Sequence, residues 1–277
     1  MTAGPEDGPA ILLLHGFPEF WYGWRKQIDP LAEAGFRVIV PDQRGYNQSS
    51  KPSEVRDYGL RELTADVIAV ADQIGRERIS LAGHDWGAAV AWNTAMLYPV
   101  RIEKLAIVNV PHPAVMLRFL RTNPRQMLRS WYMVFFQIPR LPEFLFSLDG
   151  ARTLIRSSRP GTFSKEDIDR YREAWNQPGA MTAMIDWYRA LFREMPDLEA
   201  VKSRARAPTR ILWGMKDAFL LSAMAAESLK YCDQGELFEF PEATHWVHHE
   251  EPERVNRLLI EFFQNCTAGG LAAGGFT

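Results

Sequence analysis

Gly83-His84-Asp85-Trp86-Gly87 follows the apolar run Ile79 to Ala82 and precedes the helix-like Ala88-Ala89-Val90-Ala91-Trp92. A G-x-nucleophile-x-G turn between strand and helix bends sharply because small residues flank its apex, and it lifts the apical side chain above a sheet. That apex ordinarily carries serine; here it is a carboxylate. A carboxylate attacks saturated carbon and forms an ester, whereas an ester or amide substrate calls for an activated hydroxyl. The stretch therefore points to a reaction type as well as to a fold. Taken alone, Asp85 also reads as a loop acid or a helix N-cap, and the glycines on both sides favour the nucleophile.

Outward from this turn, short β-rich runs alternate with helical patterns: Ile11 to Leu14, Arg37 to Val40, Ile79 to Ala82, Leu105 to Val110, Arg210 to Trp213 and Leu237 to Phe240. Continuous apolar runs are the mark of strands buried on both faces, and helical connections between them imply right-handed crossovers. An α/β fold with a mainly parallel sheet of about six strands follows. Between strands, Leu63, Val67, Ile68, Ala71 and Ile74 recur at helical spacing. The alternation fails between about Pro113 and Ala207, where aromatic, Met and Arg residues recur at helical intervals interrupted by Pro124, Pro139, Pro142 and Pro160. A helical block after which the alternation resumes is most economically a lid inserted in one domain. The expected organisation is a core in two parts, 1–112 and 208–265, a lid over 113–207 and a Gly/Ala-rich flexible tail over 266–277.

A chain of 277 residues is long enough for one large domain with an insertion. The formal net charge of −2 offers no global electrostatic case for nucleic acid or a membrane surface, so the arginine-rich stretches read as solvated faces. Cys232 and Cys266 stand far apart without metal-like spacing, which fits a reducing, cytoplasmic setting. The stretch from Met1 to Pro9 has neither the basic nor the apolar region of a signal peptide, and no run approaches the length of a membrane span.

Four features fall in chain order at the C-terminal ends of predicted strands, where ligands bind in open parallel sheets. His15-Gly16-Phe17-Pro18 after the first strand is either a plain strand-ending turn or a turn that aims backbone N–H groups into a cleft as an oxyanion hole. Asp85 comes second. Asp217, in Trp213-Gly214-Met215-Lys216-Asp217, is placed either to orient an imidazole or simply to close a turn. His245, in Ala243-Thr244-His245-Trp246, follows the last strand. Of the other histidines, His15 and His84 flank tight turns, His112 lies between prolines, and His248 and His249 begin an acidic helical patch. The chain order nucleophile, acid, histidine is that of α/β-hydrolases.

From roughly Pro9 to Phe263 the chain resembles the α/β-hydrolase-fold epoxide hydrolases of the soluble type. The resemblance rests on His15-Gly16-Phe17-Pro18-Glu19, Gly83-His84-Asp85-Trp86-Gly87, Asn109-Val110-Pro111-His112-Pro113 and Thr244-His245-Trp246. It implies that Tyr132 and Tyr188 are the two lid tyrosines that hold the epoxide oxygen, although at helical spacing either also reads as a lid core aromatic. It further implies a two-step reaction without metal or organic cofactor: an ester on Asp85, then water activated by His245 backed by Asp217, with Phe17 and Trp86 amides facing the oxyanion. Glu19 either helps place that water or is a solvated surface acid. Trp131, Phe135, Trp187 and Trp246 are the expected pocket residues, with Phe136, Phe144, Phe146 and Trp175 as further lid aromatics. The implied partners are a small aryl or alkyl epoxide and water, with no nucleic acid and no membrane, in a monomer or homodimer.

Relatives of this kind usually carry two further strands before the segment that begins here at Ala10. Their absence predicts an exposed edge at Arg37 to Val40, so that the chain is truncated or another segment or subunit covers the edge. A dehalogenase of the same fold uses the same triad, but such enzymes usually have Asn where Phe17 stands, or Arg where Trp86 stands. A non-catalytic binding protein on the same fold is the reading from another class, and the intact triad argues against it.

Overall fold

The computed structural model describes residues 1–193 and 203–265. The strands are β1 (Thr2–Ala3), β2 (Ala10–Leu14), β3 (Arg37–Ile39), β4 (Ile79–His84), β5 (Ile102–Val108), β6 (Thr209–Gly214) and β7 (Gly235–Phe240), and they form a sheet in the order β1-β3-β2-β4-β5-β6-β7. From β3 across to β7 every pairing is parallel. The central strands are buried throughout, as their unbroken apolar runs require. In β2 the side chains alternate between two cores: Leu12 and Leu14 join Leu63, Val67 and Trp92 on one face, while Ile11 and Leu13 meet Ile28, Leu31 and Leu259 on the other. The helices on those faces are α1 (Arg25–Glu33), α2 (Leu60–Gln73), α3 (Trp86–Leu97) and the C-terminal Pro252–Gln264.

The sheet has seven strands, not about six, and the predicted bare edge is covered. Thr2 pairs with Ile39 and Ala3 with Val38 in antiparallel register, and the Met1 amine and carbonyl bond the Val40 carbonyl and amide at 3.0 and 2.8 Å. The chain's own first residues thus satisfy the edge that needed a second segment.

Between β5 and β6 the helices α4 (Pro113–Thr122), α5 (Pro124–Arg129), α6 (Trp131–Phe135), α7 (Leu141–Arg156), α8 (Lys165–Trp175) and α9 (Ala180–Arg193) form the inserted lid. Of the prolines that break its pattern, Pro124 and Pro142 lie in the first turns of α5 and α7, while Pro139 and Pro160 fall in the connections; Pro113 likewise starts α4 behind His112. A reciprocal pair between Ser164 and Asp167 caps α8. Arg189 of α9 bonds Asp186 and Glu143 and donates to the Phe136 carbonyl, binding α6, α7 and α9 together. The expected tail 266–277, Cys266 and the lid stretch 194–202 lie outside the described residues.

Helix α3 packs directly against the end of β2, and a Cβ on Gly87 would lie 2.1 Å from the Leu14 carbonyl oxygen. Backbone on both sides of that contact leaves little room to relax. Gly87→Ala is expected to destabilise by about 2 kcal/mol or more, a fall in Tm of roughly 5 °C. A melting curve unchanged by the substitution would show that the two elements separate freely.

Candidate active site

Asp85 stands between the last residue of β4 and the first of α3 with φ 50° and ψ −123°, a left-handed conformation for a residue with a side chain. Such geometry costs of order 1–3 kcal/mol and persists where the surroundings over-determine it. Here the Asp85 carbonyl already accepts from the Ala88 and Ala89 amides at 2.9 and 3.1 Å. The side chain is thrown up against Gly16, where a Cβ would lie 2.3 Å from that of Asp85. The closeness lets the Phe17 amide donate to Asp85 Oδ1 at 2.7 Å. The Trp86 amide opens α3 and so belongs to the first turn, whose N–H groups have no intrahelical acceptor.

Asp217 and His245 arrive from the ends of β6 and β7. Asp217 Oδ2 meets His245 Nδ1 at 2.7 Å, and His245 Nε2 faces Asp85 Oδ2 at 3.5 Å. The remaining oxygen of Asp217 accepts from the Phe219 and Leu220 amides at 2.7 and 2.9 Å. Asn109, at φ 50° past the end of β5, donates from Nδ2 to Asp217 Oδ2 at 2.8 Å and accepts the Gly214 amide at 2.7 Å. It orients the carboxylate that orients the histidine. In the sequence it stood within a recognised motif, but nothing there assigned it this contact.

Burial pulls the His245 imidazole down, yet Asp217 and Asp85 overcome this and push it up to about 10. Burial likewise opposes ionisation of Asp85, but His245, His84 and the Phe17 amide hold its carboxyl below the usual range. The geometry thus sets one imidazole between two carboxyl groups whose contacts favour its protonated form.

Beneath it lies a second cluster. Glu19 is 1% exposed, which removes the surface reading for it. Its carboxylate meets His84 Nδ1 at 3.1 Å and His249 Nε2 at 2.7 Å and accepts the Tyr171 hydroxyl of α8 at 2.7 Å. His84 turns its other nitrogen to the His245 carbonyl oxygen at 2.9 Å. The two ring nitrogens of His84 are thus each set against an acceptor, a carboxylate on one side and a backbone carbonyl on the other. Glu19, His248 and His249 also have the spacing of a metal-ligand set. Arg25 faces His249 Nδ1 at 3.2 Å, and arginine only donates, so the proton sits on Nε2 and is given to Glu19. The nitrogen a metal would need is thereby occupied. His248 and His249 do lie in a short helix that runs into Glu250, and both are buried in this cluster.

Asp85 and His245 open into a cavity of about 710 Å³, walled on the lid side by Tyr132, Phe135, Phe136, Phe146 and Tyr188. Tyr132 comes from α6 and Tyr188 from α9, with ring centroids 5.9 Å apart, and Gln137 ties the two helices by donating to the Met133 and Tyr188 carbonyls. Burial and the Asp85 charge push both phenols well above their ordinary range, so they remain protonated donors. Trp131, Phe135 and Trp246 reach the cavity wall, with Trp131 at the exposed rim. Trp187 does not: fully buried, it packs against Tyr46 and Trp86 and donates Nε1–H to the Arg44 carbonyl at 3.0 Å. Trp175 is likewise turned away, bonding the Pro18 carbonyl, and Phe144 faces out.

Over residues 9–252 the sequence matches the alpha/beta hydrolase fold family, and the chain belongs to that family as one of its epoxide-hydrolase-like members. It is 47% identical to the AB hydrolase superfamily protein YfhM of Bacillus subtilis, covering 95% of this chain and 93% of that one. It is 37% identical to epoxide hydrolase 4 of Mus musculus over 96% of this chain and 76% of the relative. A crystal structure of Bacillus megaterium epoxide hydrolase in complex with an inhibitor superposes with a TM-score of 0.86 at 30% identity, covering 96% of each chain.

Folding raises His245 from about 6.5 to about 10, so its contribution to stability is complete below about pH 6.5 and is lost as pH climbs through 10. The stability gap between wild type and His245→Gln, measured by urea unfolding, is expected to narrow steadily from pH 7 to pH 10. A gap independent of pH would show that the imidazole is uncharged in the folded protein.

Proposed function

We propose that the protein hydrolyses apolar aryl or alkyl epoxides to vicinal diols through an ester on Asp85, with residues 113–207 acting as the lid over that site. The observation that carries this reading is a carboxylate at the apex of the elbow sharing one apolar cavity with two lid tyrosines. Because the Phe17 amide holds Oδ1, Oδ2 is the oxygen free to attack a ring carbon. As the ring C–O bond breaks, Tyr132 or Tyr188 gives a proton to the departing oxygen, a leaving group too basic to depart as a bare alkoxide.

Esterification cancels the Asp85 charge, and His245 then keeps only one of the two carboxylates that made it basic. The proton it gives up passes to solvent in the cavity, from which the tyrosinate is reprotonated. Neutral His245, held by Asp217, takes a proton from water as the water oxygen attacks the Asp85 carbonyl carbon. The oxyanion so formed faces the Phe17 and Trp86 amides; as it collapses the ester C–O bond breaks, the departing diol oxygen takes the proton from His245, and the new Asp85 carboxyl returns its own proton to His245. No step draws on a metal or organic cofactor. A cytoplasmic, reducing setting suits Cys232, whose thiol burial pushes up to about 11.

Styrene oxide supplied to the wild type is expected to give diol, and Asp85→Asn none. His245→Gln should consume one equivalent of epoxide and stop, with the substrate's mass added to the peptide that contains Asp85 and kcat reduced by roughly 10³-fold. Tyr132→Phe combined with Tyr188→Phe should slow the first step while leaving the fold's melting temperature in place. Halide release from haloalkanes without diol formation from epoxides would overturn the proposal.

A further inference from the structure

The near-neutral charge of the whole chain conceals a sharp local imbalance. Between Pro113 and Pro160 eight arginines stand against two acids, Glu143 and Asp149, in a chain whose formal net charge is −2. Three of them, Arg121, Arg125 and Arg140, are exposed and make no ion pair among the described residues. The same segment carries the largest concentration of outward-facing apolar side chains: Leu128, Trp131, Val134, Phe144 and Leu148 are between 60% and 75% exposed. On α7, Leu141, Phe144, Leu145 and Leu148 follow helical spacing, so they form one stripe that no element covers among the described residues. Leu128, Trp131 and Leu145 also line the cavity, which places the apolar surface around its mouth.

We infer that this face of the lid docks on an anionic lipid surface, with the mouth of the cavity turned to the bilayer. Isolated exposed apolar residues need no partner, but a grouped set with a tryptophan and a surround of arginine is the composition of surfaces that lie in a membrane interface. Each basic residue near an anionic membrane strengthens binding by roughly fivefold. A second copy of the chain fits less well, since a two-fold contact sets each patch against its own image and would bring arginine to arginine. The docking surface stands independently of the reaction; uptake of an apolar epoxide from the bilayer rests on the function proposed above.

The full chain is to be floated with phosphatidylcholine vesicles with and without phosphatidylglycerol, at low and high ionic strength. Binding is expected only with phosphatidylglycerol present and should weaken with salt. Arg121→Glu with Arg125→Glu, and separately Phe144→Glu with Leu148→Glu, should each reduce it at least tenfold while styrene oxide turnover in vesicle-free buffer and the melting temperature stay unchanged. No flotation, or equal flotation with phosphatidylcholine alone, overturns the inference. So does a wild-type dimer that Phe144→Glu with Leu148→Glu converts to monomer, because the patch would then be covered by a second copy.

Discussion

His245 lies between the buried carboxylate of Asp217 and the partly buried one of Asp85, and the rest of the site is arranged around that contact. Removing one partner of a buried ion pair is costly, so the imidazole stabilises Asp217 most and Asp85, which opens on the cavity, less. The arrangement also fixes direction. Asp217 is held by two amides and Asn109 and makes the short contact with Nδ1, whereas Asp85 keeps the longer contact of 3.5 Å with Nε2. One carboxylate is therefore committed to the histidine, and the other is available to react.

Acidic and imidazole side chains alternate below the site. Asp217, His245, Asp85, His84 and Glu19 follow in succession, and the last of them accepts the hydroxyl of Tyr171 from the helical insert. His84 is adjacent to Asp85 in the chain and bonds the carbonyl of His245, so it touches the backbone of two reacting residues at once. His84 at that point also favours the ionised form of Asp85, in the same direction as the Phe17 amide. Burial opposes ionisation of Glu19, and His249, His248 and His84 around it hold its carboxyl well below the usual range.

Asp85, Asp217 and His245 were legible in the sequence because each follows a recognisable strand, and parallel strands bring their C-terminal ends together. The lid tyrosines were legible only through the family resemblance. Trp187 and Tyr188 show why: consecutive residues on α9 point about 100° apart, so one faces Tyr46 and the core while the other faces the cavity. An aromatic-rich helix does not say which of its faces meets the pocket. Strand β1 escaped notice because two residues carry no period, and its pairing is dictated by an edge far along the chain. The Glu19 cluster joins residues separated by 65, 152 and 230 positions, beyond any local pattern.

The helical insert is anchored on the segments around Phe17 and Asp217 that border the cavity. Tyr171 bonds Glu19, Trp175 bonds the Pro18 carbonyl beside Phe17, Arg129 bonds the Asp217 carbonyl, and Gln126 bonds that of Phe219. Lifting the lid as a body would break all four and strip a buried carboxylate of a donor, a loss of several kcal/mol. Entry through the existing mouth between α6 and α7 requires none of those bonds to break. The polar anchors face the core, which leaves the apolar residues Leu128, Trp131 and Leu145 exposed where they line the cavity.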